Sequence, residues 1–243
     1  MNRHIWLLPS LAFVFAVAPL RAADAKYLHF GPSEAIALLA PPPAVGSAEG
    51  RADLEAAFVV HTTASAEMRA RAADENKLTI FHFTPAIGAW FAPGKFPKTE
   101  ALFKEVEAEA KAVTDGAKNH FKQPRPYHLA PDRFAHSIEH EDPTHYSYPS
   151  GHSTRGTVFA ALLAELFPDK RAALVEKGRD TGWLRVIGGV HYSSDVMAGR
   201  VLGQALAREF LRSEKFQADL VAVRAELAAA SALASTGAAA NRE

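Results

Sequence analysis

Apolar residues return every third or fourth position through residues 99–121, where Leu102, Val106, Ala110 and Val113 form one stripe against a charged face. That period predicts an amphipathic helix ending close to Lys118. Helical patterns resume over 150–166, 169–187, 193–211 and 213–230. Residues 47–76, dominated by Ala, Leu, Glu, Arg and Met, read as one long helix or two shorter ones. No run alternates apolar and polar positions between turn signals as a sheet requires. The predicted fold class is therefore all-α, a helical bundle with long loops.

Proline marks the breaks. Residues 26–46 carry Pro32 and the triplet Pro41, Pro42 and Pro43, which predict an extended, polyproline-like arm wrapped on the core. Pro85, Gly88, Pro93 and Gly94 among aromatics make 81–98 a turn-rich connection, and five prolines make 123–149 a loop with a histidine-rich middle. The Ala- and Ser-rich tail, 228–243, reads as a fraying helix end.

The first residues follow a different pattern. Arg3, an apolar run from Ile5 to about Ala18, and small residues around Ala22–Ala25 predict a secretory signal peptide over 1–23, cut between 22 and 25. The run is shorter than the roughly 20 apolar residues of a membrane-spanning helix, and Pro9 and Pro19 fall at its edges. A periplasmic or secreted protein is expected, with 24–243 as a single domain and no membrane contact after signal removal.

Composition narrows the partners. Of 243 residues 48% are hydrophobic, enough to bury one good-sized core. Lys plus Arg and Asp plus Glu both total 27, so no global basic excess draws the chain to nucleic-acid polymers or anionic lipid, and any anion site must be local. The absence of cysteine excludes disulfides, thiolate metal sites and cysteine nucleophiles.

Three segments supply anion-binding groups: Lys118 with Arg125 and Pro126, then Pro149-Ser150-Gly151-His152, then Arg185 with His191 and Asp195. Singly each has a plain alternative, since Arg-Pro marks turns, Ser-Gly caps helices, and a lone His is usually a surface or core residue. In this order, the text GAKNHFKQPRPY, YSYPSGHS and RVIGGVHYSSDV resembles the three-part motif of the PAP2 superfamily, and within it the soluble class A bacterial acid phosphatases. The superfamily also includes lipid phosphate phosphatases and vanadium haloperoxidases. The resemblance covers the second half of the chain.

The residues fit that chemistry. Phosphoryl transfer is chiefly positioning plus donors preorganised around the non-bridging oxygens. Arg125 and Arg185 offer forked, permanent charges and Lys118 a point charge, so three cations offset a phosphoryl dianion with no metal and no cofactor. Ser150 and Gly151 open a helix whose first amides suit an anion. His191 precedes a helix starting near Ser193, and Asp195 in its first turn is placed to reach back, fix the tautomer and leave one ring nitrogen unprotonated. The resemblance implies that His191 takes the phosphoryl group, Asp195 orients it, and His152 protonates the leaving alkoxide and later activates water. It also implies self-association as a homodimer, inhibition by vanadate, and small phosphate esters as substrates.

One position departs from the motif. The residue before Arg185 is Leu184 where relatives usually carry a phosphate-binding serine. A lost hydrogen bond to a charged group is worth about 1.5–3 kcal/mol, which leads to the expectation that Leu184→Ser raises efficiency. His128, His136, His140 and His145, with Glu139, Glu141 and Asp142, match no single-face metal-ligand spacing and read as solvated loop polarity. Tyr146 and Tyr148 read as loop packing before pocket lining, and the run Lys104–Lys111 as a solvated helix face. The rival activities are vanadium-dependent halide oxidation and hydrolysis of lipid phosphates or pyrophosphate at the same site. A noncatalytic phosphate-binding protein would use the cations without needing His152, His191 and Asp195.

Overall fold

A computed structural model describes residues 25–135, 138 and 145–240, with backbone alone over 235–240. The expected signal peptide and the loop residues His136, His140, Glu139, Glu141 and Asp142 lie outside the described residues. Among the described residues there are ten α-helices and no strand. They are α1 (Pro32–Leu38), α2 (Ala48–Thr63), α3 (Ala66–Asp74), α4 (Thr84–Ile87), α5 (Pro97–Phe121), α6 (Pro126–Leu129), α7 (Gly151–Leu166), α8 (Arg171–Ile187), α9 (Ser193–Arg212) and α10 (Glu214–Ala240).

Helix α7 is the centre, packed along its length against α8 and α9. Small residues make this possible. A Cβ built on Gly178 of α8 would meet the Gly156 carbonyl oxygen and Ala160 Cβ of α7, each at 2.7 Å. On the opposite side a Cβ at Gly199 of α9 would lie 2.6 Å from the Ser150 oxygen, and one at Gly203 2.6 Å from the Thr154 oxygen. Backbone therefore approaches backbone on both flanks of α7, a distance that only glycine permits. These seams set the start of α7 beside the end of α8 and the start of α9.

The stripe read from the sequence on α5 is buried as expected, with Leu102, Phe103, Val106, Ala110, Val113 and Ala117 facing the core. Its first turn is capped from outside: Glu226 of α10 accepts from the Lys98 and Thr99 amides and the Thr99 hydroxyl. A carboxylate at a helix start satisfies orphan amides and complements the dipole. Phe216, Leu220, Val223 and Leu227 bury the inner face of α10 in the same core.

Two boundaries differ from expectation. The N-terminal arm is not wholly extended, because Pro32 occupies the first turn of α1, where its missing N–H costs nothing, and Glu34 accepts from the Gly31 amide. The buried Glu109 of α5 then ties the arm down through the amides of Lys26, Tyr27 and Leu28. At the other end α10 continues to Ala240 instead of fraying from 228, in keeping with the high helix preference of alanine. The 81–98 connection is turn-rich, and its aromatics are core: Phe91 stacks on Phe96 at 5.5 Å, and Trp90 meets Phe167 edge-on.

Leu184 requires a correction. Successive side chains on a helix diverge by about 100°, so the neighbour of Arg185 faces elsewhere. Leu184 is fully buried with Ala72 and Ile187, against Val60, Ala64 and Ile138. A serine there would replace a packed isobutyl group by a hydroxyl among apolar neighbours. Leu184→Ser is expected to lower stability by about 2–5 kcal/mol in denaturant unfolding and to bring no gain in kcat/KM.

Candidate active site

The three segments converge at one end of α7. Lys118, in the last turn of α5, donates from Nζ to the carbonyls of Tyr146 (2.6 Å) and Ser147 (3.1 Å), which pins the loop leading into Ser150. Arg125 is buried immediately before α6, donating from Nε to the His145 carbonyl (3.2 Å) and from Nη1 to the Val190 carbonyl (2.9 Å). Its Nη1 also lies 3.4 Å from His191 Nε2.

Ser150 is the N-cap of α7, its hydroxyl accepting from the Ser153 amide and its own amide donating to the Asp195 carbonyl at 3.0 Å. Gly151 follows, and a Cβ there would stand 4.0 Å from both Lys118 Cε and Thr114 Cγ2, in ordinary contact. The helix start thus lies beside the lysine side chain, which puts an ammonium next to amides suited to an anion. Arg185, in the last turn of α8, is 1% exposed and donates from Nη1 to Asn76 Oδ1 at 2.8 Å.

The turn after α8 carries His191. Gly189 adopts φ 74°, and the Val190 amide returns to the Arg185 carbonyl. His61 of α2, stacked on Phe134, bonds through Nδ1 to the Ile187 carbonyl at 2.8 Å and so caps the helix end. His191 Nδ1 is 3.0 Å from Asp195 Oδ2, which also accepts from the Tyr192 amide at 2.9 Å. With Nδ1–H donated to a carboxylate, Nε2 is left with its lone pair facing the Arg125 guanidinium.

Electrostatics reinforce this tautomer. Burial, followed by Arg125, Lys118 and Arg185, pushes His191 well below the usual imidazole range, so the ring is neutral. His152 is also pushed well down, by burial and then by Arg185 and Arg155. Its Nε2 lies 3.0 Å from the Asn76 carbonyl and 3.4 Å from Arg155 Nη2. The closer carbonyl assigns the proton to Nε2 and leaves Nδ1 to exchange with a ligand. Asp195 is pushed up to about 6 by burial, against the Ser147 hydroxyl and the Tyr192 amide.

All eight residues singled out in the sequence, Lys118, Arg125, Ser150, Gly151, His152, Arg185, His191 and Asp195, are thus brought together. Three further groups belong to the same surround. Arg155, three residues after His152, adds a fourth cation and pairs with Glu107. Asn76 joins Arg185 to His152, and Ser147 joins His191 to Asp195. Ser147 and Arg155 stand inside or beside the second segment, but only burial and direction distinguish them from ordinary polar residues; Asn76 comes from a region with no motif. Tyr148 packs edge-on to Phe121 and donates to the Ala40 carbonyl, a loop-packing role. Among the described residues no group of three His, Asp or Glu side chains is placed to hold a metal ion.

The sequence compared with known proteins gives a consistent picture. The family model described as PAP2 superfamily matches residues 106–218, which include all eight residues singled out in the sequence, with Ser147 and Arg155, but not Asn76. The non-specific acid phosphatase of Salmonella typhimurium is 32% identical over 227 residues, covering 87% of this chain and 88% of that protein. The non-specific acid phosphatase of Salmonella typhi is 32% identical over 202 residues, 78% of each chain. Among solved structures, the first bacterial vanadium-dependent iodoperoxidase aligns with a TM-score of 0.56 and 19% identity. That alignment covers 75% of this chain but only 53% of the iodoperoxidase chain, so the likeness is one of fold. Similarity to the phosphatases over nearly the whole length, together with the family match across the convergent cations, shows that this chain belongs to the PAP2 superfamily.

Proposed function

We propose that this protein is an exported acid phosphatase that hydrolyses phosphomonoesters through a phosphohistidine on His191, without a metal cofactor. The observation that carries the reading is His191 itself: buried, neutral, held through Nδ1 by Asp195 at 3.0 Å, with Nε2 directed at the Arg125 cation. A phosphoryl group seated among Arg125, Arg185, Lys118 and the α7 amides presents phosphorus to that lone pair. The relatives named non-specific acid phosphatase support the reaction class. An exported protein agrees with the leader-like residues 1–23 and with the absence, among the described residues, of a helix long and apolar enough to cross a membrane.

In the first step Nε2 attacks phosphorus, the bond to the leaving oxygen breaks, and that oxygen takes a proton from His152. In the second, His152 removes a proton from water, the oxygen attacks phosphorus, and the P–N bond breaks to release inorganic phosphate. His152 is neutral in the free pocket, so its proton must arrive with the substrate. A phosphate ester whose second ionisation lies near 6 supplies one on the acidic side, and its charge offsets the cations that hold His152 down. Activity on the acid side of neutrality follows from this arrangement.

Rapid quenching of a reaction with radiolabelled p-nitrophenyl phosphate tests the reading. An acid-labile, base-stable phosphoenzyme is expected, undiminished by EDTA. In His152→Ala it should accumulate, because water activation is lost while the activated nitrophenolate still departs; turnover should fall roughly 100-fold or more. Turnover without any phosphoenzyme would reject the covalent route. The fold shared with the iodoperoxidase makes halide oxidation with vanadate and peroxide the second assay, for which no activity is expected.

A further inference from the structure

Ser147 touches Lys118, His191 and Asp195 and has no place in the mechanism so far. It is 0% exposed. Its amide donates to the Gln123 carbonyl at 2.7 Å, two residues before Arg125, and its own carbonyl accepts from Lys118 Nζ. The side chain is therefore fixed from both ends. Its Oγ makes a short hydrogen bond to Asp195 Oδ2 and lies 3.2 Å from His191 Nδ1.

The donor inventory settles the directions. His191 Nδ1 carries hydrogen because it faces a carboxylate, so the Ser147 hydrogen goes to Oδ2 while a serine lone pair faces Nδ1–H. Three donors then converge on one carboxylate oxygen: the Ser147 hydroxyl, the Tyr192 amide and the His191 ring. We infer that Ser147 is a positioning residue for phosphoryl transfer, holding Asp195 ionised and aligned so that the carboxylate fixes the attacking tautomer of His191.

Every charged neighbour of Asp195 bears on this. Lys118 from α5 favours the carboxylate, while Asp53 from α2 opposes it. Tyr148 and Tyr192 carry phenols kept protonated first by burial and then by its charge, and Arg125 lies on the far side of the His191 ring. The dominant influence is burial, which pushes the carboxyl up to about 6; among the groups that hold it down, the Ser147 hydroxyl is the largest. Without that hydroxyl the proton is retained to higher pH. A protonated Asp195 no longer demands hydrogen on Nδ1, and the nucleophilic lone pair is lost from Nε2 in a share of the molecules.

This inference rests on the phosphohistidine reading, so its test includes a measurement independent of turnover. The Asp195 carboxyl carbon is titrated by NMR in the wild type, Ser147→Ala and Ser147→Cys, alongside the acid limb of kcat/KM. Alanine should raise both midpoints by about one pH unit, and cysteine, near in size and a weaker donor, by less. The kcat should fall roughly tenfold or more with KM changed less than about threefold. In an Asp195→Asn background, where no carboxylate titrates, Ser147→Ala should add less than about threefold.

Unmoved midpoints in both variants, or full additivity with Asp195→Asn, would overturn the proposal. Should the alanine variant fail to fold, the cysteine variant and its titration decide the matter. A wild type that forms no phosphoenzyme would instead sink the parent reading, while the carboxyl titration would still report whether Ser147 governs Asp195.

Discussion

Replacing His191 with alanine is expected to lower kcat for p-nitrophenyl phosphate by roughly 10⁴-fold or more, with phosphate and vanadate binding largely kept. The ring supplies the attacking lone pair; the lone pair left to His152, on Nδ1, serves proton exchange with the leaving oxygen and water, and Asp195 is behind His191. Water attack within the same cation cluster leaves a residual rate, so the variant is slow and not silent. The protein should stay folded, because Asp195 keeps the Ser147 hydroxyl and the Tyr192 amide after the imidazole is gone. Stopped-flow turnover and calorimetric titration with vanadate give the two numbers. A variant near wild-type turnover would show that the nucleophile is elsewhere.

Arg125→Lys is the second large effect, expected to cost about 10²- to 10³-fold in kcat/KM although the charge is conserved. The guanidinium spans two backbone carbonyls, His145 and Val190, and still places Nη1 at 3.4 Å from His191 Nε2. An ammonium cannot hold both carbonyls and also reach a phosphoryl oxygen with a fork. The pH profile separates geometry from charge. With lysine a cation remains, so His191 stays low and the acid limb should not move. With Arg125→Ala a cation that disfavours imidazolium is gone, His191 binds protons more readily, and its protonation joins that of Asp195 in setting the limb, which should move to higher pH. A limb that shifts equally in both variants would contradict this division.

Much of the site was legible because its parts are short, local and chemically unusual: an Arg-Pro after a helix end, a Ser-Gly before an apolar run, a His and an Asp four residues apart at a helix start. Each of those features carries its geometry in the local chain. Helices α5 and α7–α9 were legible for the same reason, since their stripes and caps are local. What escaped depends on the rest of the fold. Pro32 predicts extended chain, yet the same residue is a good first residue of a helix, and Gly31 with Glu34 decides between the two. Leu184 was assigned to the pocket by alignment with a motif, whereas the pitch of α8 turns it into the apolar contact with Ala72. Asn76 and Ser147 are ordinary polar residues until Arg185, His152, His191 and Asp195 are folded against them.

Gly178, Gly199 and Gly203 bring bare main chain of α8 and α9 against α7. Beside main chain only the short side chains of Ala160, Ser153 and Thr157 share those contacts, so the spacing among His152, Arg185, His191 and Asp195 follows the rigid-body placement of the three helices. The oxyanion cradle therefore holds its dimensions as a unit: a shift of any one of the three helices carries its charged groups with it by the same amount.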